Sequence, residues 1–140
     1  MSWIASSTDE FKSMFFKAFS YFDEHRTIYS FRIVDNEESE FLFKVRRTSW
    51  PLEERKTEWD QQCPSKPHIW YDRVNVNHSH HVECLVHLTL MSRGYERVVT
   101  HCPDCGKKHQ EIFRLLSLDA WETIINPLIH EVNGRVENKS

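Results

Sequence analysis

The stretch 101-HCPDCGKKH-109 constrains this chain more than any other. Two cysteines flank Pro-Asp, a glycine follows the second, and a histidine stands at each end. A Cys-x-x-Cys turn presents two thiolates to one metal, and zinc takes about four soft or borderline ligands in a tetrahedron. Proline stiffens such a turn, and a glycine after it permits a close backbone approach. Zinc is therefore the expected cofactor, with Cys102 and Cys105 as its first two ligands. A redox dithiol of the thioredoxin kind would sit after a strand at a helix N-terminus. Here Cys105 is followed by GKKH and a strand-like run, which argues against redox chemistry.

Strand register suggests a third ligand. If Ser92, Arg93 and Gly94 form a hairpin loop, Met91 faces Tyr95 and Cys84 faces Cys102. Opposed residues of an antiparallel pair carry neighbouring β-carbons, close enough to share a metal. The fourth ligand stays open. Cys63 would complete an all-cysteine site, His109 or His68 would give three cysteines and a histidine, and His80 and His101 remain further choices. Three or four cysteines fill the tetrahedron and leave no position for substrate. CPDCG resembles the knuckle of zinc-ribbon and rubredoxin-type sites, a likeness confined to these five residues that implies a metal and assigns no family. His81-Val82-Glu83 with the later cysteine pair is similar in part to the zinc deaminase signature. It departs in having proline after the first cysteine and in heading a strand-like run.

The chain has 140 residues and suits one domain, 1–140, with possible lobes at 7–47 and 63–134. Its 39% apolar content supports a packed core, and its 3 glycines include no GxGxxG or P-loop pattern. A formal charge of −3 argues against a protein that works by general attraction to nucleic acid, while leaving room for a local basic face. MSWIASSTDEF lacks the features of a signal peptide, and no apolar run is long enough to span a bilayer. These features predict a reducing, cytoplasmic setting without membrane contact, in which 4 cysteines serve a metal rather than disulfides.

The hydrophobic pattern predicts an α+β fold. Phe11, Met14, Phe15, Ala18, Phe19 and Phe22 recur at helical spacing over 7–25, with Ser7 and Glu10 as a capping box. Residues 27–35 and 41–47 alternate as a hairpin around NEESE, with Ile33 facing Phe43 and Phe31 facing Val45. Residues 69–76, 82–91, 95–101 and 110–116 read as further strands, and HSHH at 78–81 as a polar loop. A final helix starts at Ser117, buries Leu118, Trp121, Ile125, Leu128 and Val132, bends at Pro127 and ends at Gly134. The fold expected is thus an antiparallel sheet flanked by an N-terminal and a C-terminal helix, with zinc tying the later strands.

In that hairpin register Arg32, Lys44 and Arg46 form an outer basic face, with Arg47 and Trp50 at its exit. Arg93, Arg97, Lys107 and Lys108 form a second basic group. Arg and Trp side by side anchor protein interfaces, and cations beside aromatics also take phosphates and stack bases. No Ser-His-Asp arrangement and no carboxylate pair stands out. The leading expectation is a non-enzymatic binding protein, an inhibitor or regulator docking on a larger protein complex through Arg32, Lys44, Arg46, Arg47 and Trp50. A nucleic-acid-binding zinc protein comes second and a zinc-dependent enzyme acting on nucleic acid third. Small size, zinc stapling and dense aromatics would also suit a viral or phage accessory protein.

Overall fold

A computed structural model describes residues 2–17, 26–34, 41–48, 57, 61, 68–101 and 108–139. Among them the chain forms three α-helices and an antiparallel sheet of six strands, the α+β architecture expected. The helices are α1 (Ser2–Phe16), α2 (Ser79–Ser92) and α3 (Asn126–Lys139). The strands are β1 (Arg26–Ile33), β2 (Phe41–Thr48), β3 (His68–Trp70), β4 (Val74–Val76), β5 (Glu96–His101) and β6 (Lys108–Leu115). Sheet order is β3-β1-β2-β6-β5, and β4 extends the β1 edge beside β3. The single strand expected over 69–76 is thus two short ones, which pair with β1 one residue out of step.

The β1–β2 hairpin forms where expected, one residue out of register. Ile33 pairs with Leu42, Phe31 with Lys44 and Ser30 with Val45. Because side chains alternate faces, one step exchanges a strand's partners. Phe31 and Tyr29 share a face with Lys44 and Arg46, whereas Phe43 and Val45 share the opposite face with Ile28, Ser30, Arg32 and Arg47. The expected basic outer face is therefore corrected. Arg32 lies on the other side from Lys44, and Lys44 is buried at 1% exposure, beneath no open surface. Both faces of the hairpin are covered: Tyr29 and Phe31 are as buried as Phe43 and Val45.

The largest correction concerns 82–91, expected as a strand and HSHH before it as a loop. Both belong to α2. Val82, Leu85, Val86 and Leu90 fall at intervals of three and four, and all are buried against the sheet and α3. Gly94, with φ of 92°, ends the helix in the left-handed region. Its N–H bonds Met91 O and the Tyr95 N–H bonds Leu90 O, the paired closure of a Schellman cap. Ser92, Arg93 and Gly94 thus end a helix instead of turning a hairpin, and the opposition of Cys84 and Cys102 inferred from that hairpin falls with it.

α1 starts at Ser2, before the expected capping box, so Ser7 lies within the helix. Phe11, Met14 and Phe15 pack on the core as the stripe predicts, while Ala18, Phe19 and Phe22 lie outside the described residues. Near the C-terminus Ser117 turns the chain, its hydroxyl bonding the Asp119 carboxylate and its carbonyl accepting the Ala120 N–H. A π-helical turn, Trp121–Ile125, precedes α3. Pro127 has no N–H for the carbonyl of Thr123, and its ring crowds that carbonyl. Widening the preceding turn accommodates both effects. Trp121, Ile125, Leu128 and Val132 are buried as expected, but Leu118 is exposed and the helix runs through Gly134 to Lys139. Val136 is buried, which explains why the tail stays helical past the glycine.

Candidate functional site

The site lies where β2 and β6 part. Their ladder stops at Lys44–Ile112, and Glu111, the residue just before Ile112, has a positive φ of 56°, unusual outside glycine. Beyond that point Val45 O accepts a bond from His87 Nε2 at 2.6 Å. A carbonyl only accepts, so Nε2 carries the proton and Nδ1 of the neutral ring keeps its lone pair. Burial pushes the His87 pKa below its usual value, against a smaller upward pull from Glu83. Helix α2 delivers His87 and, one turn earlier, Glu83 to the same face.

Glu83 is held at two points by the end of β2. Its Oε2 accepts the Arg47 backbone N–H at 2.8 Å, and its Oε1 lies 3.8 Å from Arg47 Nε. The carboxylate side chain keeps 14% exposure, so one oxygen is well bonded and the other remains able to accept more. The buried ammonium of Lys44 lies 3.5 Å from Glu111. Two acids are thus brought to one place by two cations of β2, one from each face of the strand.

The two acids and His87 border an open depression of about 500 Å³, lined also by Arg97, by Glu10 and Met14 of α1 and by Lys17 just past its end. The end of α1 is secured there by His81, whose Nε2 donates to the Lys17 carbonyl at 3.0 Å. His81-Val82-Glu83 does lie on a helix, and this bond leaves only Nδ1 of His81 as a lone-pair nitrogen. Cys84 also borders the depression, its Sγ 3.9 Å from both ring nitrogens of His80.

Of the expected zinc ligands, Cys84 lies on α2 and His68 begins β3 against the Phe31 ring. Cys63, Cys102 and Cys105 lie outside the described residues, as does the side chain of His109. Among the described residues no three His, Cys, Asp or Glu side chains converge as a metal site. His101 and Lys108 pair, so the segment CPDCGK falls between the ends of two paired strands. Of the expected docking residues, Arg46 pairs with Tyr29 and Arg47 serves Glu83, while Trp50 and Lys107 lie outside the described residues. Arg32 lies 5.8 Å from the Phe41 ring and bonds Tyr71. In the sequence Glu83 figured only within the partial deaminase likeness, and His87 and Glu111 were not singled out. The signal for the first two was the helical spacing of Val82, Leu85, Val86 and Leu90, which sets Glu83 and His87 one turn apart.

Fold and site define an α+β domain with a charged cleft between a helical layer and the parting strands of an antiparallel sheet. The chain belongs to the T5orf172 domain family, whose sequence model matches residues 26–129. The match takes in all six strands and α2, and leaves out α1. No curated protein and no solved structure is a match to the chain. No helix among the described residues is long and apolar enough to cross a membrane.

Proposed function

We propose that this chain is a nucleic-acid-processing domain that acts on phosphodiester bonds at the α2 depression. The observation that carries the reading is Glu83, a carboxylate fixed by a backbone N–H and an arginine at the border of a ligand-sized cleft. Fixing a carboxylate in this way costs side-chain freedom in advance, and preorganised charge is what stabilises a charged transition state. Glu83, Glu111 and, from α1, Glu10 are the carboxylates that line the depression, and a divalent cation commonly takes one or two carboxylates and completes its shell with substrate phosphate and water. Such a cation would supply Lewis-acid stabilisation of the phosphate. Arg97 and Lys17 border the same space and suit the phosphate itself.

This reading promotes the alternative that sequence analysis ranked third over the docking protein that it ranked first. Two of the five docking residues, Lys44 and Arg47, are engaged with the carboxylates of Glu111 and Glu83, and it is those carboxylates that line the depression. A zinc knuckle at Cys102 and Cys105 remains part of the proposal as a separate, structural element at the β5–β6 connection, with Cys63, Cys84 or His109 to complete it; His68, on β3 at the opposite edge of the sheet, is too far away to serve.

The test is cleavage of labelled single-stranded and duplex oligonucleotides with magnesium or manganese added. Wild-type protein should cleave, and Glu83→Gln should lower the rate at least about 100-fold, in the range that lost transition-state charge stabilisation produces. Circular dichroism should be unchanged. Equal cleavage by Glu83→Gln, or none by wild type on any nucleic acid, would remove the proposal.

A further inference from the structure

Resting on that reading, we infer that the α2 depression takes a single unpaired nucleotide, so that the chain selects single-stranded nucleic acid over duplex. The lining is divided by chemistry. Met14, Leu88 and Met91, all half-buried, form an apolar wall from α1 and α2. Arg97, exposed on β5, lines the same depression and makes no ion pair or side-chain hydrogen bond among the described residues. Glu83 and Glu111 already have cations beside them. The lining therefore offers an arginine for an anion next to a patch for a flat apolar body. A nucleotide is such a ligand, with a base that packs on thioether and aliphatic carbon and a phosphate that pairs with guanidinium.

Scale and shape favour one nucleotide over a double helix. A volume of about 500 Å³ falls within the ~300–1,000 Å³ of sites that enclose small ligands. A paired base inside a duplex presents only its edge, and reaching an apolar wall requires unstacking it. A single strand has no pairing to break, and an unstacked base can be held against apolar side chains. Met14 belongs to α1, outside the residues matched by the family model, so one side of this wall is supplied by a segment beyond the shared domain.

The experiment measures anisotropy of a labelled twelve-base single strand and of the same sequence as duplex, with full-length protein and no added divalent cation. Expected is binding of the single strand at least about tenfold tighter than duplex, with Arg97→Glu and Leu88→Gln each weakening it about tenfold. Arg97 is exposed, so its variant keeps the test sound if Leu88→Gln fails to fold. Duplex binding as tight as single-strand binding, or single-strand affinity unchanged in Arg97→Glu, would overturn the inference. If duplex is preferred while Glu83→Gln still abolishes cleavage, the cleavage reading stands and this one falls. If no nucleic acid is bound or cleaved, both fall.

Discussion

His87 joins a buried ring, a strand carbonyl and the acids of the depression, and its titration should be readable in stability. Its folded pKa lies below that of the unfolded imidazole, near 6.5, because burial disfavours the charged ring. Between the two values the unfolded chain binds more protons, so stability rises with pH there. The contribution is complete above the unfolded pKa and is lost as pH falls through about 6.5 toward the folded value. His87→Gln keeps a donor for Val45 O and should flatten this part of the profile. Melting temperature followed from pH 5 to 8 checks it, the expected result being a steeper acid-side fall for wild type. Equal slopes would mean that other groups set the acid limit. His87 was not legible as functional in the sequence, and Glu83 only as part of the partial deaminase likeness, because a polar residue's role depends on which element carries it. Once Val82, Leu85, Val86 and Leu90 sit on one helical face, both residues are placed.

The ambiguity of 82–91 at the level of elements has a physical source. Val82, Cys84, Val86, Leu88 and Leu90 alternate as a strand would, while Val82, Leu85, Val86 and Leu90 recur as a helix does. A short apolar run carries both periods, and packing decides between them. The decision shows in the cap. Gly94 adopts a φ that side-chain-bearing residues avoid, and a β-carbon there would touch nothing within 4 Å. A substitution would therefore report conformational cost without a clash. Gly94→Ala should lower stability by about 1 kcal/mol and Gly94→Asn by less. Urea unfolding of the two variants checks the ranking. By contrast β1, β2, β5, β6 and the final helix were legible, since strong alternation and a long 3.6-residue stripe each admit one reading. The hairpin register was not, because loop length alone leaves a one-residue choice.

At the scale of the whole molecule, the CPDCGK segment joins β5 to β6, and β6 in turn pairs with β2. A metal there would hold together the end of the sheet farthest from β3. If the proposed zinc is present, purified protein should carry about one equivalent, and a chelator should lower the melting temperature, since binding to the folded state alone adds to its stability. Cys102→Ser combined with Cys105→Ser should abolish both the metal content and the chelator effect. Metal analysis below half an equivalent would end that proposal. The strand order has a further consequence, for the timing of folding. Hairpin β1–β2 closes early from near neighbours, yet its two edges are filled by β3 and β4 on one side and by β6 on the other. A chain emerging from the ribosome must therefore present an unpaired β2 edge until residue 115 has been made. Unpaired edges recruit foreign strands. Slow synthesis or truncation before β6 should accordingly send this chain to aggregates, whereas loss of the final helix would leave the sheet closed.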